Sequence, residues 1–72
     1  MQDVNTKRII AEVIAVIPEF HQTIVDSGGY HYAIIRRTPG IKWDTLKEGD
    51  MVEMEVYTAI PIVKEVLNVN PQ

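Results

Sequence analysis

The chain has 72 residues, 46% of them apolar and 24% charged, with a formal net charge of −3 and no cysteine. Such a length sets one domain near the lower end of what folds alone, burying only about 60% of its unfolded surface, and the apolar share excludes a disordered tail. The missing cysteines exclude a disulfide, a thiolate zinc site and a thiol nucleophile, while the negative balance argues against a protein that coats nucleic acid, leaving room only for a local basic patch.

Residues 1–6 and 70–72 are polar ends expected to be flexible, flanking one domain over 7–69. Lys7 to Ile17 is dense in Ile and Val and is stopped by Pro18. A helical reading of it would line up Ile9, Val13 and Val16, but β-branched density and the terminating proline favour a strand. Both faces of that strand are mostly apolar, as expected where one strand bends across a small barrel or where a partner chain covers its second face. The run is interrupted by Glu12 and falls short of the roughly 20 residues that span a bilayer. With no signal-peptide cleavage site in place, a cytoplasmic protein is expected.

The second strand is expected over Phe20 to Val25, and Asp26-Ser27-Gly28-Gly29 is a strong turn signal. Tyr30 to Arg37 forms the third strand before Thr38-Pro39-Gly40 breaks the pattern. A long loop follows, with a single helical turn around Trp43 to Leu46. Met51 to Thr58 is the clearest strand: Val52, Met54 and Val56 fall on one face, Glu53 and Glu55 on the other. Gly49 in the preceding turn is free to take a positive φ. Ile60 to Val69 is the fifth strand, with Pro61 marking an edge position or a bulge. Five short antiparallel strands with a longer connection between the third and fourth predict an all-β barrel of OB or SH3-like type.

The segment GIKWDTLKEGDMVEMEV, Gly40 to Val56, resembles a stretch of cold-shock domains that runs Gly-Phe-Lys-Thr-Leu-x-Glu-Gly-x-x-Val-x-Phe-x-Val. Gly40, Lys42, Thr45, Leu46, Glu48, Gly49, Val52, Met54 and Val56 take the matching positions, with two extra residues around Trp43. The close of the last run, Leu67-Asn68-Val69, is similar to the end of that family's fifth strand. The resemblance covers most of the chain in layout and about a quarter of it in motif. It implies a five-stranded antiparallel OB barrel. It also implies single-stranded nucleic-acid binding by bases stacked on strands 2 and 3. Here the chain departs from the family: Phe20-His21-Gln22-Thr23-Ile24-Val25 holds the place of a Gly- and Phe-rich motif with one aromatic and no glycine. Ile14-Ala15-Val16 replaces the usual Lys-Trp-Phe.

The candidate binding residues are Phe20, His21, Tyr30, Tyr32, Arg36, Arg37, Lys42 and Trp43. Tyr30 and Tyr32, two apart, would stack bases from one face of the third strand, and the arginines would hold phosphates. The structural alternative makes the tyrosines core cover with hydroxyls at the rim, the arginines solvated charges and Trp43 a plug at one barrel end. His21 and His31 are expected to face each other across the hairpin. A metal site there would need a third ligand, with Glu19 or Asp26 nearest, and neither spacing matches a metal-ligand pattern, so no metal is expected.

Asp44, Glu48, Asp50, Glu53 and Glu55 read as a solvated acidic face. No Ser-His-Asp set and no phosphate-cradling loop is present, which predicts neither enzyme nor cofactor. Two functions stay open on the residues. One is weak RNA or DNA binding through strands 2 and 3 and the following loop; the other is a protein-interaction module or homo-oligomer docking through the first strand. The resemblance tips the balance to nucleic acid.

Overall fold

A computed structural model describes residues 5–40 and 45–70. Five antiparallel strands form one sheet in the order β3-β2-β1-β4-β5: β1 Thr6–Ile17, β2 Gln22–Ser27, β3 Tyr30–Ile35, β4 Met51–Tyr57 and β5 Val63–Asn70. The radius of gyration is 11.4 Å, close to the roughly 11 Å of a packed chain this long. Among the described residues no helix is long and apolar enough to cross a membrane.

β1 is the centre of the sheet and is shared between two partners. Its first half runs antiparallel to β4, from Thr6 opposite Tyr57 to Glu12 opposite Met51. Its second half runs antiparallel to β2, from Glu12 opposite Asp26 to Ile17 opposite Gln22. Between Val13 and Ala15 the register shifts, and such a bulge bends the strand and raises its twist. The bulge also changes parity. Ile9, Ala11 and Val13 face the core before it, and Val16 faces the core after it. The two apolar faces of β1 therefore reflect a strand that turns over halfway.

The core gathers Val25 from β2, Tyr32 and Ile34 from β3, Val52, Met54 and Val56 from β4, and Val63 and Val66 from β5, with Leu46 from the loop. The β2–β3 hairpin turns at Gly28 and Gly29, both at positive φ, as a tight two-residue turn requires. β4 keeps the expected alternation. Its launching turn runs from Lys47 to Asp50, with Asp50 donating its N–H to the Lys47 carbonyl at 3.1 Å. Gly49 there has φ 95°, the left-handed value a type II turn demands at that position.

Asp50 is buried, and its carboxylate accepts the Lys47 N–H at 3.0 Å, so it leaves the acidic surface expected for it. Glu53 and Glu55 stay on the outer face beside Arg8 and Lys64, at 3.8 and 3.9 Å.

Several strand ends differ from expectation by one to three residues. β2 runs on to Ser27, through half of the expected turn, and the starts of β2 and β5 and the end of β3 move furthest. Pro18–Phe20 is a 3-10 turn that ends with His21 in a left-handed conformation, so β2 begins at Gln22. β3 stops at Ile35 because the Thr38 hydroxyl accepts the Ile35 N–H at 2.9 Å. The Thr38 N–H returns to the Ile35 carbonyl at 3.0 Å. β5 begins at Val63, after the proline.

The expected closure into a barrel is not found: the sheet is open, with β3 and β5 as its edges. Among the described residues, an isolated parallel bridge between Ala33 and Ile62 and two hydrogen bonds cross the gap. Ala33 N–H donates to the Pro61 carbonyl at 3.2 Å and Val66 N–H to the Pro39 carbonyl at 3.0 Å. Each seam segment carries a proline, which accepts but cannot donate, so a continuous ladder does not form. The central helical turn expected around Trp43 falls partly on residues 41–44, outside the described residues.

Candidate nucleic-acid interface

The hairpin register sorts the candidate residues into two groups at opposite ends of β2 and β3. Gln22 stands opposite Ile35 and Ser27 opposite Tyr30. Phe20 and His21 therefore leave the sheet at the same end as Arg36 and Arg37. Tyr30, His31 and Tyr32 gather at the other end, six strand residues away, or about 20 Å at the rise of an extended strand. Lys42 and Trp43 lie outside the described residues.

At the Tyr30 end there is a cleft of about 170 Å³, lined by Tyr30, His31, Tyr32, Tyr57 and the β4–β5 connection from Thr58 to Pro61. Tyr30 is 71% exposed and forms its rim, while Tyr32 at 9% belongs to the core. The two tyrosines share one side of β3, but only Tyr30 lies beyond the edge of the packed interior, so they do not make a paired stacking surface. The connection is held in place by the Pro61 bond to Ala33 and by Thr58, whose N–H donates to the Asn5 carbonyl at 3.0 Å. Ile60 is 48% exposed. The cleft is thus aromatic and mixed in polarity, and His31 is the one basic side chain among its lining residues.

His31 points away from the place sequence reasoning gave it. It stands opposite Asp26, with Nε2 3.4 Å from the carboxylate, an ion pair when the imidazole is protonated. His21 sits at the far end of the hairpin, so the two histidines do not face each other. Among the described residues no group of three or more His, Asp or Glu side chains is placed to hold a metal ion.

At the other end, Arg36 and Arg37 occupy the exposed turn that ends β3, and Phe20 is 71% exposed. Between the two ends the outer side of the hairpin carries Ile24 opposite Ala33 and Gln22 opposite Ile35. These are three aliphatic side chains and one amide where a base-stacking platform would carry aromatics.

Sequence reasoning missed Tyr57 and the Thr58 to Pro61 segment because both were absorbed into strands. A signal was present: Tyr57 shares the parity of Glu53 and Glu55, so it is an aromatic at the end of a polar face, followed directly by the apolar Ala59-Ile60-Pro61. No protein-family model, no curated protein and no solved structure matches this chain.

Proposed function

We propose that this chain is a small OB-like binding protein of cold-shock type that holds single-stranded nucleic acid weakly, with one base stacked in the Tyr30–Tyr57 cleft. The observation that carries the reading is that cleft, where an exposed tyrosine meets the β4–β5 connection. OB folds are partly open five-stranded barrels that bind oligonucleotides on the face of strands 2 and 3, between the loops joining strands 1–2 and 4–5. The strand order here and the bridge between β3 and the start of β5 agree with that layout.

The strand would run from the cleft towards Arg36 and Arg37, where phosphates find cations. Affinity is held low by the scarcity of aromatics along the path and by the net charge of −3, since phosphate neutralisation supplies most nonspecific binding.

The test is anisotropy of a labelled mixed-sequence single-stranded RNA or DNA, titrated at low and moderate salt. Tyr30→Ala is expected to weaken binding by about 1–3 kcal/mol, the worth of one stacked base. Arg36→Ala or Arg37→Ala should reduce the salt slope by about one. No saturable binding, or an unchanged affinity in Tyr30→Ala, would remove the cleft from consideration.

A further inference from the structure

On the outer face of β1, Arg8, Ile10, Glu12 and Ile14 all project to solvent while Ile9, Ala11 and Val13 point inward. Ile10 is 62% exposed in the middle of the central strand of the sheet. The register carries it to the level of the Gly28-Gly29 turn on one side, which has no side chains to cover it, and opposite Glu53 on the other. Charges are arranged symmetrically about it. Arg8 lies two residues before Ile10 and Glu12 two residues after, each about 7 Å away along the same face.

Glu12 also stands directly opposite Asp26 on β2, and like charges in that position repel. Arg8 has its side chain 69% exposed, with the Glu53 carboxylate at 3.8 Å. An exposed pair that long holds its partners loosely, so the guanidinium is available to a closer acceptor.

We propose that this face docks on a second copy of the chain, β1 against β1 in antiparallel sense, with a two-fold axis through Ile10. An isologous interface needs a patch that is complementary to itself. Here the two Ile10 side chains meet at the axis, and Arg8 of each copy reaches Glu12 and Asp26 of the other. The acidic pair that repels within one chain becomes an arginine site between two. Aliphatic Ile14 extends the apolar contact beyond the charged pair. The surface is separate from the Tyr30–Tyr57 cleft, and the proposal does not depend on nucleic-acid binding.

Sedimentation equilibrium without oligonucleotide, at protein concentrations up to about 1 mM, the weak end of specific association, tests it. The wild-type chain is expected to dimerise. Arg8→Glu leaves the strip wholly acidic, and Glu12→Arg leaves Asp26 as the one carboxylate of the arginine site, so each variant alone should dimerise more weakly than the wild type. Their equimolar mixture should dimerise more tightly than either variant alone, because positions 8 and 12 then pair opposite charges in both contacts across the axis. A wild-type chain that stays monomeric overturns the proposal. So do single variants that dimerise like wild type, or folded variants whose mixture dimerises no more tightly than either alone. Ile10→Ser, at an exposed position that leaves the core intact, should weaken the dimer at least about tenfold, and an unchanged dissociation constant also overturns it.

Discussion

Gly40 illustrates what a single residue does that the sequence cannot announce. It was legible as a loop glycine and as part of the cold-shock resemblance, but its contact was not. It has φ 98°, and a Cβ built on it would stand 2.1 Å from the Val66 carbonyl oxygen on β5. Gly29 has a similar φ of 92° with nothing within 4 Å of the same position. The pair separates backbone strain from steric exclusion. Gly29→Ala carries only the cost of a left-handed alanine, about 1 kcal/mol. Gly40→Ala carries that cost and must also push the loop off β5, breaking the Val66 to Pro39 bond beside it. Urea denaturation should place Gly40→Ala clearly below Gly29→Ala in stability; equal midpoints would mean that the loop does not pack on β5. Tyr32 was likewise ambiguous from spacing alone, because the period-2 rule assigns a side of the strand and not where the core ends along it.

At the scale of elements, the core face of β4 was readable and that of β5 was not, for one physical reason. β4 has no interior kink on its β1 side, so its alternation survives intact in the sequence. β5 meets β4 through two register shifts, between Glu53 and Met54 and between Glu55 and Val56. Each inserts one extra residue, Leu67 and Lys64 respectively, and each resets the parity. The core face of β5 consequently reads Val63, Val66, Val69 at intervals of three. A period of two would instead set Val63, Glu65, Leu67 and Val69 on one face and expel Val66. The two readings give opposite mutational outcomes. Val66→Ala should destabilise by about 1–3 kcal/mol as a buried truncation, and Leu67→Glu, at a site 39% exposed, should stay within about 0.5 kcal/mol of wild type. Chemical denaturation of the two variants decides it, and a reversed order would reject the bulged register. The bulge in β1 was foreshadowed by its two apolar faces, although nothing in the residues marked Ile14 as the extra one.

For the molecule as a whole, the strand count and the antiparallel connectivity followed from turn chemistry, but the closure did not. Closure depends on whether edge strands far apart in sequence present matching donors and acceptors, and two prolines at the seam leave that pairing incomplete. The candidate site was split for a similar long-range reason: the hairpin register sends Tyr30 and the arginines to opposite ends, and the cleft is completed by a β4–β5 segment that no local pattern ties to β3. The seam should also be the weakest part of the fold. The ladders of β1 with β2 and β4 hold the centre of the sheet around the most buried side chains, whereas among the described residues the seam is crossed by isolated backbone bonds, from β3 to Pro61 before β5 and from β5 to Pro39 after β3. Local opening free energies run from near zero at such places to the global value in central strands. Native-state hydrogen exchange should therefore find the Ala33 and Val66 amides exchanging well before those of Ala11, Val13 and Met54. Gly40→Ala should lower the protection of Val66 further and leave Val13 changed only by the loss in global stability. Seam amides protected as strongly as the centre would mean that the sheet opens as one unit, and that β3 and β5 are joined more firmly than isolated bonds allow.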